Sequence, residues 1–148
     1  MNQTEKMIET EESITIIIAD YSQSDSIVDC LKNLNSWFPK KIIVSNDLNA
    51  RSRLEDYPSH DLIFHKSKSI SQLWQKGISA SKTKWNLLIT SNEIVTGHLK
   101  KSIEVRIKTQ PISEKFFSIK KKVVFLKKVL KYPLEWPVEF PSCLVFIP

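Results

Sequence analysis

Four short apolar runs, separated by segments of helical period, constrain the fold of this 148-residue chain more than any other feature. The runs are Ile14 to Ala19 (ITIIIA), Lys41 to Ser45 (KIIVS), Asp61 to His65 (DLIFH) and Trp85 to Thr90 (WNLLIT). Three are nearly continuous stretches of Ile, Val and Leu without polar alternation, the pattern of strands covered on both faces. Between the first two runs, Ile27, Cys30, Leu31, Leu34 and Phe38 fall on one helical stripe. Ser24, Asp25 and Ser26 precede that stripe as capping residues, and Pro39 ends it. Ile70, Leu73, Trp74, Gly77 and Ile78 form a second stripe, and Leu99, Ile103 and Ile107 a third that stops at Pro111. Arg51 to Ser59 is polar and reads as a short helix or loop. The order β-α-β-(short α)-β-α-β-α predicts an α/β layered fold, Rossmann-like, with a mostly parallel central sheet flanked by helices.

The C-terminal part reads differently. Pro133, Pro137, Pro141 and Pro148 punctuate it. Strands are expected near Phe116 to Ile119 and Cys143 to Ile147, with a strand or short helix near Val123 to Leu130. The expected organisation is a polar tail over 1–12 and a single domain over 13–148, irregular, basic and Pro-containing from about 111.

Composition narrows the function classes. Two Gly leave little material for a glycine-built phosphate loop, and no GxSxG, P-loop or GxGxxG is present. Cys30 and Cys143 read as buried free thiols, which points to a reducing compartment. His60, His65 and His98 lack zinc spacing. No apolar stretch reaches the length of a membrane span, and MNQTEKMIETEES lacks the order of a signal peptide, so a cytoplasmic protein is expected, or one peripheral to the inner face of the membrane. The net charge of +6 is concentrated C-terminally, in Lys100, Lys101, Arg106, Lys108 and a basic surface of Lys120, Lys121, Lys122, Lys127 and Lys128. Such a cluster is either a solvated face or a surface for phosphate-rich partners. Trp37, Trp74, Trp85 and Trp136 are core residues or stacking surfaces.

Ligands in open α/β sheets bind beyond the carboxyl ends of the strands. Those ends carry Asp20, Tyr21 and Ser22; Asn46 and Asp47; His65 and Lys66; and Thr90, Ser91, Asn92 and Glu93.

With IVDCLKNLNSW, KKIIVSND, LWQKG and NLLITSNEIVTGHLKKSI in this order, the chain resembles family-2 inverting glycosyltransferases of the GT-A fold, specifically the lipopolysaccharide-core glucosyltransferase-like branch. The likeness covers roughly residues 14 to 148 and lies in order, spacing and hydrophobic frame. It implies a nucleotide-diphospho-sugar transferase fold and sugar transfer in cell-surface polysaccharide or lipopolysaccharide synthesis. It places Asp20, Ser22, Asn46, Asp47 and Gln75 on the nucleotide, and Thr90, Asn92 and Glu93 on the diphosphate and metal side.

The motif positions depart from the family pattern. Asp20 and Ser22 stand for Thr and Asn, and Asn46 for the first Asp, with Asp47 kept beside it. Trp74 and Gln75 replace an Arg-Asn pair, with Gly77 kept. Thr90 and Asn92 stand at the two aspartates of Asp-x-Asp, and Glu93 alone matches. The resemblance implies Mg2+ or Mn2+, yet hard cations want charged oxygens, and only Glu93 and Asp47 offer them here. Lys66, Lys68 and Lys76 are then the cations available to a diphosphate. The family's catalytic base lies further along than Pro148, and no spacing marks Glu135 or Glu139 for that role. These departures point to a weakened or inactive relative. The alternative is a non-catalytic binding or scaffold module that uses its basic region on an anionic membrane surface or a partner protein, nucleic acid being the less favoured partner.

Overall fold

The computed structural model describes residues 14–21, 25–34, 37–57, 60–109, 116–121, 124–125, 128–129 and 143–146. The tail over 1–12, Ser22, Ser24, Pro111, Lys122, Lys127, Glu135, Trp136, Glu139 and the four C-terminal prolines lie outside them.

The four apolar runs are strands β1 (Ile14–Asp20), β2 (Lys41–Ser45), β3 (Asp61–Phe64) and β4 (Trp85–Thr90). The helical segments are α1 (Ser26–Leu34), a single turn α2 (Ala50–Arg53), α3 (Ile70–Ala80) and α4 (Gly97–Thr109). Beyond them come β5 (Phe116–Ser118), a two-stranded pair of β6 (Val124–Phe125) with β7 (Lys128–Val129), and β8 (Cys143–Phe146). The main sheet has the order β3-β2-β1-β4-β8-β5. Its first four strands are parallel, whereas β8 runs antiparallel to both β4 and β5. The structure is thus α/β, with a six-stranded mixed sheet between helices.

Strand side chains alternate between faces, and the core divides accordingly. Ile14, Ile16 and Ile18 pack with Ile27, Cys30, Leu31 and Leu34 of α1 and Ile103 of α4. Ile17 and Ala19 pack on the other face with Leu73 and Trp74 of α3. All four β1 isoleucines are fully buried, each contributing about 1.5–3 kcal/mol. Gly77 lies where α3 crosses the sheet, and a Cβ there would overlap the Cγ2 of Ile17. Its place in the sequence pattern therefore has a packing cause. No helix among the described residues is long and apolar enough to cross a membrane.

Several local expectations change. The α1 stripe extends to Phe38 in sequence, but the helix ends at Leu34. Phe38 reaches the same core from a left-handed backbone, φ 48°, and its carbonyl accepts a 2.8 Å hydrogen bond from the Lys41 ammonium. β3 stops at Phe64 and is half-exposed because it forms a sheet edge, with β2 its one strand neighbour among the described residues. Part of the basic C-terminal surface is structural: Lys100 donates to Asn33 O at 2.6 Å and lies over the Trp37 ring, and Arg106 covers Phe117.

Candidate functional site

The strand order creates a switch point. The chain steps from β1 outward to β2 and β3, then returns to β4 on the other side of β1. In open α/β sheets such a place, beyond the carboxyl ends of the strands, is where ligands bind. Polar residues gather there in two groups, one on each side of the end of β1.

The first group is built on Asp20. Period-2 alternation puts it on the same face as Ile14, Ile16 and Ile18, opposite Ser45 in register. Its side chain is fully buried, a costly position for a carboxylate without partners. Oδ2 accepts hydrogen bonds from Ser45 Oγ at 2.7 Å and from Arg53 Nη2 at 3.1 Å. The same Arg53 nitrogen donates to Asp47 Oδ2 at 2.8 Å. Asp47 Oδ1 in turn accepts from the Asn49 amide at 3.0 Å, an Asx-turn that fixes the loop into α2. Asp20 Oδ1 has no hydrogen-bond partner among the described residues. Asn46 lies alongside, donating through Nδ2 to Ser67 O at 2.9 Å.

The second group closes the end of β4. The Ser91 amide continues the ladder to Ala19 O at 3.0 Å. The Glu93 amide donates to Thr90 O, and Glu93 Oε2 accepts from the Thr90 amide, both at 3.1 Å. Glu93 Oε1 forms an ion pair with the Lys121 ammonium. Asn92 accepts from Ser26 Oγ at 2.9 Å and donates to the Tyr21 hydroxyl at 3.2 Å, tying β4 to the loop after β1 and to the start of α1. Ser26 therefore spends its hydroxyl on Asn92.

Of the residues expected at the site, Asp20, Asn46, Asp47, Thr90, Asn92 and Glu93 are brought to this end of the sheet. Ser22 lies outside the described residues. Gln75 is exposed on α3, and no contact among the described residues joins its side chain to either group. Trp74 is core, its indole N–H donating to Ile89 O at 2.8 Å. Lys66, Lys68 and Lys76 are exposed. Lys120 is exposed, and Lys128 falls on β7. Arg53 was not expected at this place, and Lys121, expected on a basic surface, is found here against Glu93. Arg53 stands six residues after Asp47, and Lys121 is one of a run of lysines; neither has a local signal that aims it at a carboxylate far away in sequence.

Cys30 lies beneath both groups. Burial pushes its thiol up to about 12, and the charges of Glu93 and Asp20 push the same way, so it stays a neutral core residue. Burial also raises Cys143 to about 11, against the opposing charge of Lys121.

The donor set does not fit a hard divalent cation. Thr90 is a buried neutral hydroxyl, and the Asn92 amide is committed to Ser26 and Tyr21. Both oxygens of Glu93 already have partners. No group of three His, Cys, Asp or Glu among the described residues could hold a metal ion.

A cavity of about 380 Å3 lies at the opposite, amino end of the sheet, lined among others by Thr15, Lys40, Ile42, His60, Asp61 and Lys82. It faces the C-terminus of α3, whose carbonyls Gly77 O and Ile78 O are capped by the Ser81 amide.

Compared with known families and with curated proteins, the sequence matches no family model and no curated protein.

Proposed function

We propose that the carboxyl-end crevice binds a nucleotide sugar, and that the chain is a glycosyltransferase family 2-like protein of the GT-A type acting in cell-surface polysaccharide or lipopolysaccharide synthesis. The observation that carries this proposal is Asp20, a fully buried carboxylate at the switch point with one oxygen left without a partner among the described residues. Leaving a buried acceptor unsatisfied costs about 1–3 kcal/mol. Once the side chains that cover it part to admit a ligand, N–H or O–H groups of a base or ribose are the donors that would satisfy it. Asp47, on the adjoining strand end and joined to Asp20 through Arg53, offers a second acceptor. Leu48 and Ile94, 79% and 60% exposed, place apolar surface in the loops beside these carboxylates, where a planar base or a sugar ring can rest.

Support at the level of the fold comes from the mostly parallel sheet and its helices, although a fold hosts many activities and the site must carry the function. In the proposed reaction an acceptor hydroxyl attacks the anomeric carbon while the nucleotide diphosphate departs from the opposite face, inverting the centre. The described residues serve the donor half of that reaction.

Thermal unfolding in the presence of ADP, CDP, GDP, UDP and their sugar conjugates tests the proposal. One base should stabilise the protein, by about 2.7 kcal/mol at a hundred times its dissociation constant. Asp47→Ala should weaken that binding about tenfold, the loss of a hydrogen bond to a charged acceptor. Equal and absent shifts across the whole set would overturn it.

A further inference from the structure

We propose that the Lys121 ammonium, at the Glu93 side of this site, receives the diphosphate of the nucleotide directly, so that donor binding needs no divalent metal. The inference deepens the nucleotide-donor proposal and rests on it.

Three features place a cation there. First, Lys121 pairs with Glu93, reaching the end of β4 from the segment after β5. Glu93 is itself aimed by the Thr90 amide and cannot swing freely. Second, the pair is partly open: the side chains are 29% and 19% exposed, so a ligand can reach the ammonium. A lysine ammonium carries three donors, and a single carboxylate oxygen leaves others for phosphate oxygens. Third, the spacing suits a nucleotide. Ser45 and Thr90 flank the end of β1 in register, and strands stand ~4.8 Å apart, so the Asp47 and Glu93 loops begin ~10 Å from each other. That is the reach from a base held at Asp20 and Asp47 to a diphosphate held at Lys121.

Glu93 distinguishes this arrangement from a metal site. As a metal ligand it would be required for diphosphate binding. As the seat of Lys121 it is a competing anion, and Glu93→Gln keeps a hydrogen-bond acceptor while removing the charge.

Calorimetric titration with the nucleoside diphosphate selected by thermal shift, and with inorganic pyrophosphate, tests the inference on the full chain in EDTA and in Mn2+. Binding is expected in EDTA, weakened about tenfold by Lys121→Gln and kept or tightened by Glu93→Gln. Both substitutions sit on a partly exposed pair, and their unfolding temperatures control for folding. Binding that appears only with Mn2+, or that Glu93→Gln abolishes, would overturn the role of Lys121 while leaving the nucleotide site standing. Binding in EDTA that Lys121→Gln leaves unchanged would do the same. Failure of every nucleotide and of pyrophosphate in both conditions would remove the nucleotide site itself, and Lys121 with it.

Discussion

The two ends of the sheet are built from the same strands and treat their polar groups in opposite ways. At the carboxyl end the carboxylates Asp20, Asp47 and Glu93 are held by cations that arrive from elsewhere in the chain, Arg53 and Lys121. At the amino end a cavity is lined by Lys40, Lys41, Lys82, His60 and Asp61, and the Lys41 ammonium donates to the Phe38 carbonyl. The hollow at the amino end is thus not where the carboxylates are gathered. Chain direction explains the difference. Parallel strands send every carboxyl end into a loop that leads to a helix start, so loop side chains converge there. The amino ends receive helix C-termini, whose carbonyls favour cations and whose caps are local.

The strongest way to break this comparison is to remove one cation from the carboxyl end. Arg53→Met should cost about 3 kcal/mol, because it leaves the fully buried Asp20 carboxylate without its positive partner. Lys82→Ala at the amino end should change stability by no more than about 0.5 kcal/mol, as exposed substitutions do. Asp20→Asn in the Arg53→Met background should recover much of the loss, since the uncompensated charge is gone. Urea unfolding measures all three. Equal costs for Arg53→Met and Lys82→Ala would mean that the two ends are held alike.

This contrast also shows what the sequence can and cannot display. The strands were legible because burial on both faces forces unbroken apolar runs, and Ile14 to Ile18 can serve no other element. The stripes of α1, α3 and α4 were legible for the same reason at another period. Phe38 shows the limit: it obeys the helical spacing yet joins the core through a left-handed turn, since a buried position constrains the side chain and not the backbone path. Strand ends were legible as polar positions, which is why Asp20, Asp47 and Glu93 could be named. Their partners were not. Arg53 and Lys121 become site residues through pairing with carboxylates that only the folded chain brings near, and a lysine among lysines carries no mark of the one that will be paired. The β8 strand was visible as an apolar run, but its insertion beside β4, antiparallel to it, depends on non-local pairing.

A smaller effect sharpens the amino-end side. There, beside the charged lining residues, two neutral hydroxyls pair with each other. Thr83 Oγ1 lies 2.8 Å from Thr15 Oγ1 and 2.9 Å from Trp85 O. One hydroxyl has one proton, so Thr83 donates it to Thr15 Oγ1 or to the Trp85 carbonyl, not to both at once. Thr83→Val removes both interactions and strands the buried Thr15 hydroxyl, at a cost of about 1–2 kcal/mol by urea unfolding. Thr15→Val and Thr83→Val together should cost less than the sum of the two alone, because the second removal finds its partner already gone. Strict additivity would show that the hydroxyls do not pair.

The smallest effect expected is a pH slope set by His60. Burial lowers the His60 pKa from its ordinary 6.5, with the charge of Lys41 acting in the same direction and the Tyr57 backbone and Asp61 opposing it. Its Nδ1 has no hydrogen-bond partner among the described residues, so the ring is held in a place that suits the neutral form. The folded-state pKa lies below the unfolded one, and on acidification the unfolded chain takes up the proton first. Stability from this group is therefore complete above pH 6.5 and is lost as pH falls from there through the lowered folded value, after which the loss levels off. His60→Gln, neutral at every pH, should flatten that part of the stability profile while leaving the profile above pH 7 parallel to that of the parent. Contributions from groups far from His60 are common to both proteins and cancel in the difference. A difference profile without slope between pH 7 and 5 would mean that the cavity wall accepts the charged ring as readily as water does, and the amino end would then be polar in function as well as in composition.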